Sequence, residues 1–408
     1  MKFLEAYAEL LLEVGIGLQK GQNLHVTTEP YHVDFALLLE KIAYEKGARF
    51  VRLEFLHPKS KLYRANYSDK AYLDYVPRFI KDESISRVEE DWALIKIGGL
   101  EDPYALNDMD QTNHGITHSA DMVYKQHYMK ARMAGICTWC IGNMPTPGWA
   151  QQILGGEADE ANKEKLWELM VPILRLDTPD PVQSWLENSS TIQKRAAILN
   201  NYELEYLHFE GPGSDLKVYL TDYSRFIGGA QKAKNGSIFI PNLPTEEFFT
   251  TPDFRKTHGR IAVTRPVEVL NTQVHGAWFV FEKGRVINYG ADKGKEQLDA
   301  FFAIDEKARY LGEVALVDIH SPIYQSGQVF HDILYDENAA CHIALGRGIG
   351  MAMPEVQHRS REELEAVGYN HSILHTDFMV GSEQISVTGY SRRGECIEII
   401  KNGAFCVG

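Results

Sequence analysis

The sequence predicts two architectures in one chain, an α/β domain followed by a β-rich α+β domain, and three observations carry that prediction. Strand-like and helix-like segments of ordinary length alternate through the first half, as in a largely parallel sheet. After about residue 198 the texture changes to short, turn-bounded runs rich in β formers. A length of 408 residues with 44% hydrophobic content is enough for two cores. The expected domains are therefore 1–198 and 199–408.

A helix over roughly 2–14 comes first, with Glu5, Glu9 and Glu13 spaced i, i+4 along one wet face. That spacing describes an amphipathic surface helix rather than a signal peptide. A strand at 23–27 follows, then an apolar-periodic helix across 34–43 that stops at Gly47. Residues 48–55, 92–97 and 135–141 read as further strands, the last preceded by a helical stretch near 119–133. The turn at Pro145, Pro147 and Gly148 ends this alternation, and helices run on to about Asn200. Strands are then expected at 204–209, 216–220, 237–240, 261–264, 278–281 and 286–289.

A formal charge of −14 disfavours nucleic acid and anionic membrane surfaces as partners. Five cysteines are an odd, sparse set, as expected of reduced thiols in a cytoplasm. No apolar run approaches the roughly 18–20 residues of a membrane helix.

The chemistry concentrates near the C-terminus. His375-Thr-Asp377 lies in an apolar, strand-like segment, where a side-chain period of two puts His375 and Asp377 on one face. An imidazole nitrogen beside a carboxylate makes half of a divalent-metal site, although a buried ion pair would look the same. Glu313 opens an apolar run and, alone, reads as a strand-edge surface acid. His342 sits on an expected helix over 337–345, where a lone histidine is ordinarily structural. Glu246 and Glu247 read equally well as the first turn of a helix after Thr245, where acids complement the helix dipole. Jointly the five elements favour a hydrolytic metal centre, because all lie beside apolar runs in one domain. Cys137-Thr-Trp-Cys140 has redox or zinc spacing but no second pair, which favours buried free thiols.

Five segments in order resemble the aminopeptidase T / aminopeptidase S / PepS family of metallopeptidases: Phe209-Glu-Gly-Pro-Gly-Ser-Asp-Leu216, Pro241-Asn-Leu-Pro-Thr-Glu-Glu247, Arg309-Tyr-Leu-Gly-Glu-Val-Ala-Leu-Val317, Asp336-Glu-Asn-Ala-Ala-Cys-His-Ile-Ala-Leu-Gly346 and His371-Ser-Ile-Leu-His-Thr-Asp-Phe-Met-Val-Gly381. The resemblance extends to Val33-Asp-Phe35 and Pro147-Gly-Trp149, so it spans essentially the whole chain. It implies a cytoplasmic, homodimeric aminopeptidase with two divalent metal ions, cobalt, zinc or magnesium, in the second domain. By motif it places the ligands on Glu247, Glu313, His342, His375 and Asp377, and it is the resemblance that selects Glu247 over Glu246. Water activated by the paired ions would attack the first peptide carbonyl, with Glu246 or Glu313 carrying the proton. Three ligand carboxylates are balanced by two divalent ions and one hydroxide, whereas a single ion would leave the pocket negative. The family pattern His-Ile-Ala-x-Gly-x-x-Tyr ends in a catalytic tyrosine, and this chain has Ile349 there. An alkyl group cannot donate a proton to an oxyanion, so slow hydrolysis is expected unless Tyr324 or Tyr335 substitutes. The alternative is a mononuclear Fe(II) ring-cleaving dioxygenase of the dihydroxypyridine type, for which His342, His375 and Asp377 would suffice.

Overall fold

The structure, a computed structural model, describes residues 2–270 and 272–408. The chain divides into two compact units, residues 1–186 with 230–244, and residues 187–229 with 245–408. The boundary expected near residue 198 lies within one long helix, Pro181–Asn201.

The first unit is built on four parallel strands, β1 (Asn23–Thr28), β2 (Phe50–Phe55), β3 (Trp92–Gly98) and β4 (Trp139–Asn143), in the order β2-β1-β3-β4. Helix α1 (Leu4–Leu10) runs into a π turn at Leu11–Gly15, and Glu5, Glu9 and Glu13 all lie exposed. Tyr7 of α1 is fully buried, donates to Asn143 O at 3.1 Å and stacks on Phe35. A Cβ on Gly142 would stand 2.4 Å from the Tyr7 hydroxyl, so this strand tolerates no side chain there. Helix α2 (Val33–Glu45) buries Phe35, Ala36, Leu39, Ile42 and Ala43, a stripe at helical spacing. Cys137 and Cys140 are buried free thiols, and burial pushes the Cys137 thiol up to about 11.

The strands of the second unit's two main sheets are β5 (Leu204–Gly211), β6 (Ser214–Tyr219), β7 (Ile227–Gly228), β8 (Phe248–Thr250), β9 (His258–Ala262), β10 (Trp278–Glu282), β11 (Arg285–Gly290), β12 (Leu311–Leu316), β13 (His342–Gly346), β14 (His375–Met379), β15 (Ser386–Ser391), β16 (Cys396–Lys401) and β17 (Ala404–Phe405). Eight of them form one antiparallel sheet in the order β11-β10-β9-β6-β5-β15-β16-β17. The other five form a second, β14-β13-β12-β8-β7. Phe209, Phe279, Phe281, Phe301, Phe378, Val314 and Ile343 belong to one continuous core in this unit. Antiparallel connections explain why this half reads as many short runs with turn residues between them.

One expected element is corrected. Residues 337–345 do not form a helix: Glu337–Ala339 make a single 3-10 turn, and His342 begins β13. All five residues of β13 are buried, and beyond His342 its sequence is apolar, so it lacks the alternation that marks a strand with one wet face. No helix starts at Glu246 and Glu247 either; the chain is irregular there and enters β8. Glu313 is not a surface acid but lies buried inside β12.

Candidate metal centre

The five-stranded sheet assembles the acidic and histidine residues by register. Ala344 on β13 is opposite Glu313 of β12 and Asp377 of β14, so these three share one face. His342 and His375 lie two residues from Ala344 and Asp377, and the strand period returns them to the same face. Glu313 reaches it through a bulge: the β12–β13 register shifts between Leu311 and Glu313, sending Leu311 into the core and Glu313 to the other side. Gly312 sits at the bulge, where a Cβ would lie 2.2 Å from Arg347 O. Glu247 enters from the residue before β8, with its side chain 10% accessible.

The side chains form two groups, each with ligand atoms within 4.8 Å of one another: Glu247, Glu313 and His342, and Glu313, His375 and Asp377. Glu313 belongs to both. His342 Nε2 stands 3.2 Å from Glu247 Oε2. His375 Nε2 stands 3.3 Å from Glu313 Oε2 and equally from Asp377 Oδ1. His375 Nδ1 faces Arg347 O at 2.8 Å, and a carbonyl only accepts, so Nδ1 carries a proton and Nε2 is the nitrogen turned toward the carboxylates. The His375 side chain is 26% accessible, whereas Glu313 and Asp377 are almost sealed, which makes the histidine the open side.

Crowded charge displaces the titrations. Burial raises Glu313 to about 7, despite its hydrogen bond to His375. Burial alone would lower His342, but the hydrogen bond and charge of Glu247, with Asp377 and Glu313, raise it to about 10. His375 likewise rises well above its usual value, with burial outweighed by Asp377 and Glu313. Asp377 stays low in spite of burial because the charge and hydrogen bond of His375 favour its ionised form. Protons on the histidines thus balance the carboxylates when no cation does. Glu247 Oε2 and Asp377 Oδ1 are buried oxygens that face His342 Nε2 at 3.2 Å and His375 Nε2 at 3.3 Å. Buried carboxylate oxygens converging with imidazole nitrogens are the donor set that divalent metal requires, so the residues fit such an ion.

One acid at the cluster was not singled out from the sequence. Glu337 is half-buried, and burial, with the charges of Glu247 and Asp377, raises it well above the usual carboxylate range. Its position in Asp336-Glu-Asn338, just before the five-residue approach to His342, was a legible signal, hidden by the helix expected there. Glu246 is placed beside Glu247 by its own N–H, which donates to Asn338 Oδ1 at 2.8 Å. Ile349 follows β13 in extended conformation, half-buried. Tyr335 is fully buried and stacks on Phe330 at 4.7 Å, while Tyr324 lies over Arg265.

Residues 1–405 match the thermophilic metalloprotease family M29. The chain belongs to that family. Among its M29 relatives, "Aminopeptidase T" of Thermus aquaticus is 34% identical over 404 residues, covering 99% of this chain and 98% of the relative. "Aminopeptidase 2" of Geobacillus stearothermophilus is 32% identical over 403 residues, with 98% and 97% covered. The structure of wild-type AmpT from Thermus thermophilus matches with a TM-score of 0.91 at 32% identity, over 100% of this chain and 99% of that one. A 2,5-dihydroxypyridine dioxygenase from Pseudomonas putida KT2440 matches with a TM-score of 0.53 at 12% identity, over 100% and 96% of the two chains. That second likeness concerns the fold alone. Among the described residues, no helix is long and apolar enough to cross a membrane.

Proposed function

We propose that this M29 metalloprotease is an aminopeptidase that removes residues from the free amino end of peptides, with residues 199–408 as its catalytic domain. The observation that carries the proposal is the sharing of Glu313 between two adjacent ligand groups, which suits a pair of divalent ions better than one. Glu247 and His342 would hold one ion, His375 and Asp377 the other, and Glu313 both. Bound divalent metal supplies a Lewis acid that acidifies water and polarises the scissile carbonyl.

The chain's own residues do the rest. The Arg347 carbonyl keeps the proton on His375 Nδ1, so Nε2 remains a donor of electrons. Glu247 and Asp377 are themselves buried, so they meet the site with little solvent around them. With Glu313 committed to both groups, we assign Glu246 to carry the proton from the attacking water to the leaving amine. Glu337 is a second carboxylate at the cluster available for that role, its titration raised by burial and by the charges of Glu247 and Asp377. Ile349 offers no hydroxyl to a developing oxyanion, and full burial of Tyr335 argues against it as the substitute, so turnover should be slow. The family resemblance further supports a homodimer in the cytoplasm, and cobalt, zinc or magnesium as the metal.

The test is a metal titration of chelator-stripped protein, with release of the first residue from a leucyl dipeptide as the readout. Activity that reaches its maximum at two equivalents supports the proposal, and a maximum at one equivalent sinks the paired site. The dioxygenase reading draws on the 0.53 TM-score likeness and on His342, His375 and Asp377. It predicts instead iron-dependent oxygen uptake with a dihydroxypyridine.

A further inference from the structure

Residues 346–349 form a strap in which every backbone polar group has a partner. Gly346 N donates to Tyr310 O at 2.8 Å, and its carbonyl accepts from Asn370 Nδ2 at 2.6 Å. Arg347 N donates to Leu374 O at 2.7 Å, and its carbonyl accepts from His375 Nδ1 at 2.8 Å. Gly348 N donates to Asn370 O at 2.9 Å, and its carbonyl accepts from the Tyr369 hydroxyl at 2.6 Å. Ile349 N donates to Thr251 Oγ1 at 2.9 Å, and that hydroxyl donates back to Ile349 O at 3.0 Å.

The middle of the strap bonds to the side chain of a candidate ligand, since Arg347 O accepts from His375 Nδ1. Arg347 O is held between bonds on either side, at Gly346 and Gly348, and both are tied to the 369–370 pair. Asn370 is fully buried, and its Nδ2 also faces Lys307 O at 2.9 Å and Tyr310 O at 3.1 Å. Only the amide nitrogen can face three carbonyls, so the orientation of this side chain is fixed. Gly312 completes the cradle, because any side chain there would occupy the space of Arg347 O.

We propose that Tyr369 and Asn370 are positioning residues of the metal centre, which hold the Arg347 carbonyl against His375 Nδ1 and so fix the tautomer that presents Nε2 to metal. The proposal rests on the reading of His375 as a ligand. Groups that orient a ligating histidine in this way are worth roughly 10- to 100-fold in metal affinity. Neither residue touches the ligand groups directly; both act through the strap.

The experiment measures zinc affinity of the full chain by competition with a chromophoric chelator, in Tyr369→Phe, Asn370→Ala and His375→Ala. It also records the imidazole N–H signals of zinc-loaded, ¹⁵N-histidine-labelled protein. Tyr369→Phe removes one hydroxyl and should fold normally, judged by melting of the metal-free form. The expected result is roughly tenfold weaker zinc binding for Tyr369→Phe and a larger loss for Asn370→Ala. With it, the slowly exchanging His375 Nδ1–H signal should be lost or broadened. A purely structural role would lower the melting temperature and leave that signal intact. Unchanged affinity and an intact N–H signal in folded Tyr369→Phe would overturn the proposal. Full zinc affinity in His375→Ala would instead show that the ligand assignment is wrong, and the proposal would fall with it.

Discussion

Glu313 and Asp377 flank the same residue: each is registered opposite Ala344, one on each neighbouring strand. The alanine methyl is the smallest side chain that still suits a strand, and it leaves the space between the two carboxylates clear. Ala344→Val should fill that space while keeping a residue that strands favour. We expect zinc affinity to fall at least about tenfold, against an overpacking cost to stability of about 1–3 kcal/mol. Isothermal titration and melting of the metal-free protein measure the two effects separately. Unchanged affinity would mean that no ion lies between Glu313 and Asp377.

His375→Ala and Asp377→Asn each remove one assigned ligand. Peptidase activity should drop at least about 100-fold, with the metal-free protein still folded by circular dichroism. Elemental analysis should find less than the wild-type metal content. Wild-type turnover at full occupancy would contradict the assignment.

Metal loading should expel protons. Neighbouring carboxylates raise His342 to about 10, so it is protonated at pH 7 without metal, and they raise His375 well above its usual value, which favours its protonated form. An ion must displace those protons, so affinity should increase as pH rises toward about 10, where His342 loses its own. Titration at pH 7 in two buffers of different ionisation enthalpy should show net proton release, with His342 as one source. Proton uptake, or none exchanged, would contradict the balance of charges described above.

Ile349→Tyr tests the departure from the family pattern. One hydroxyl at a developing oxyanion is worth roughly 10²–10³ in turnover, so kcat on leucyl substrates should rise with little change in KM. The Thr251 bonds to both the N–H and the carbonyl of residue 349 fix its backbone, and substitution leaves them intact. A folded, metal-loaded variant with no gain would mean that another group already supplies the proton.

The first unit was legible because its strands and helices have distinct periods, as at β1 and α2. His375 and Asp377 were legible for the same reason, since two residues on a strand must share a face. His342 was misplaced on a helix because a strand buried on both faces shows no alternation to read. The bulge at Gly312, which turns Glu313 onto the site face, depends on the close approach of Arg347 O. That contact joins residues far apart in sequence and left no local signal. Glu337 went unnoticed because an acid after Asp336 looks like an ordinary helix start.

The most direct test compares a leucyl dipeptide with its N-acetylated form, using chelator-treated protein before and after divalent metal is restored. The account predicts release of free leucine from the unblocked peptide only, and only with metal present. No release from the unblocked peptide by folded, fully loaded protein, or equal cleavage of the acetylated one, would contradict it.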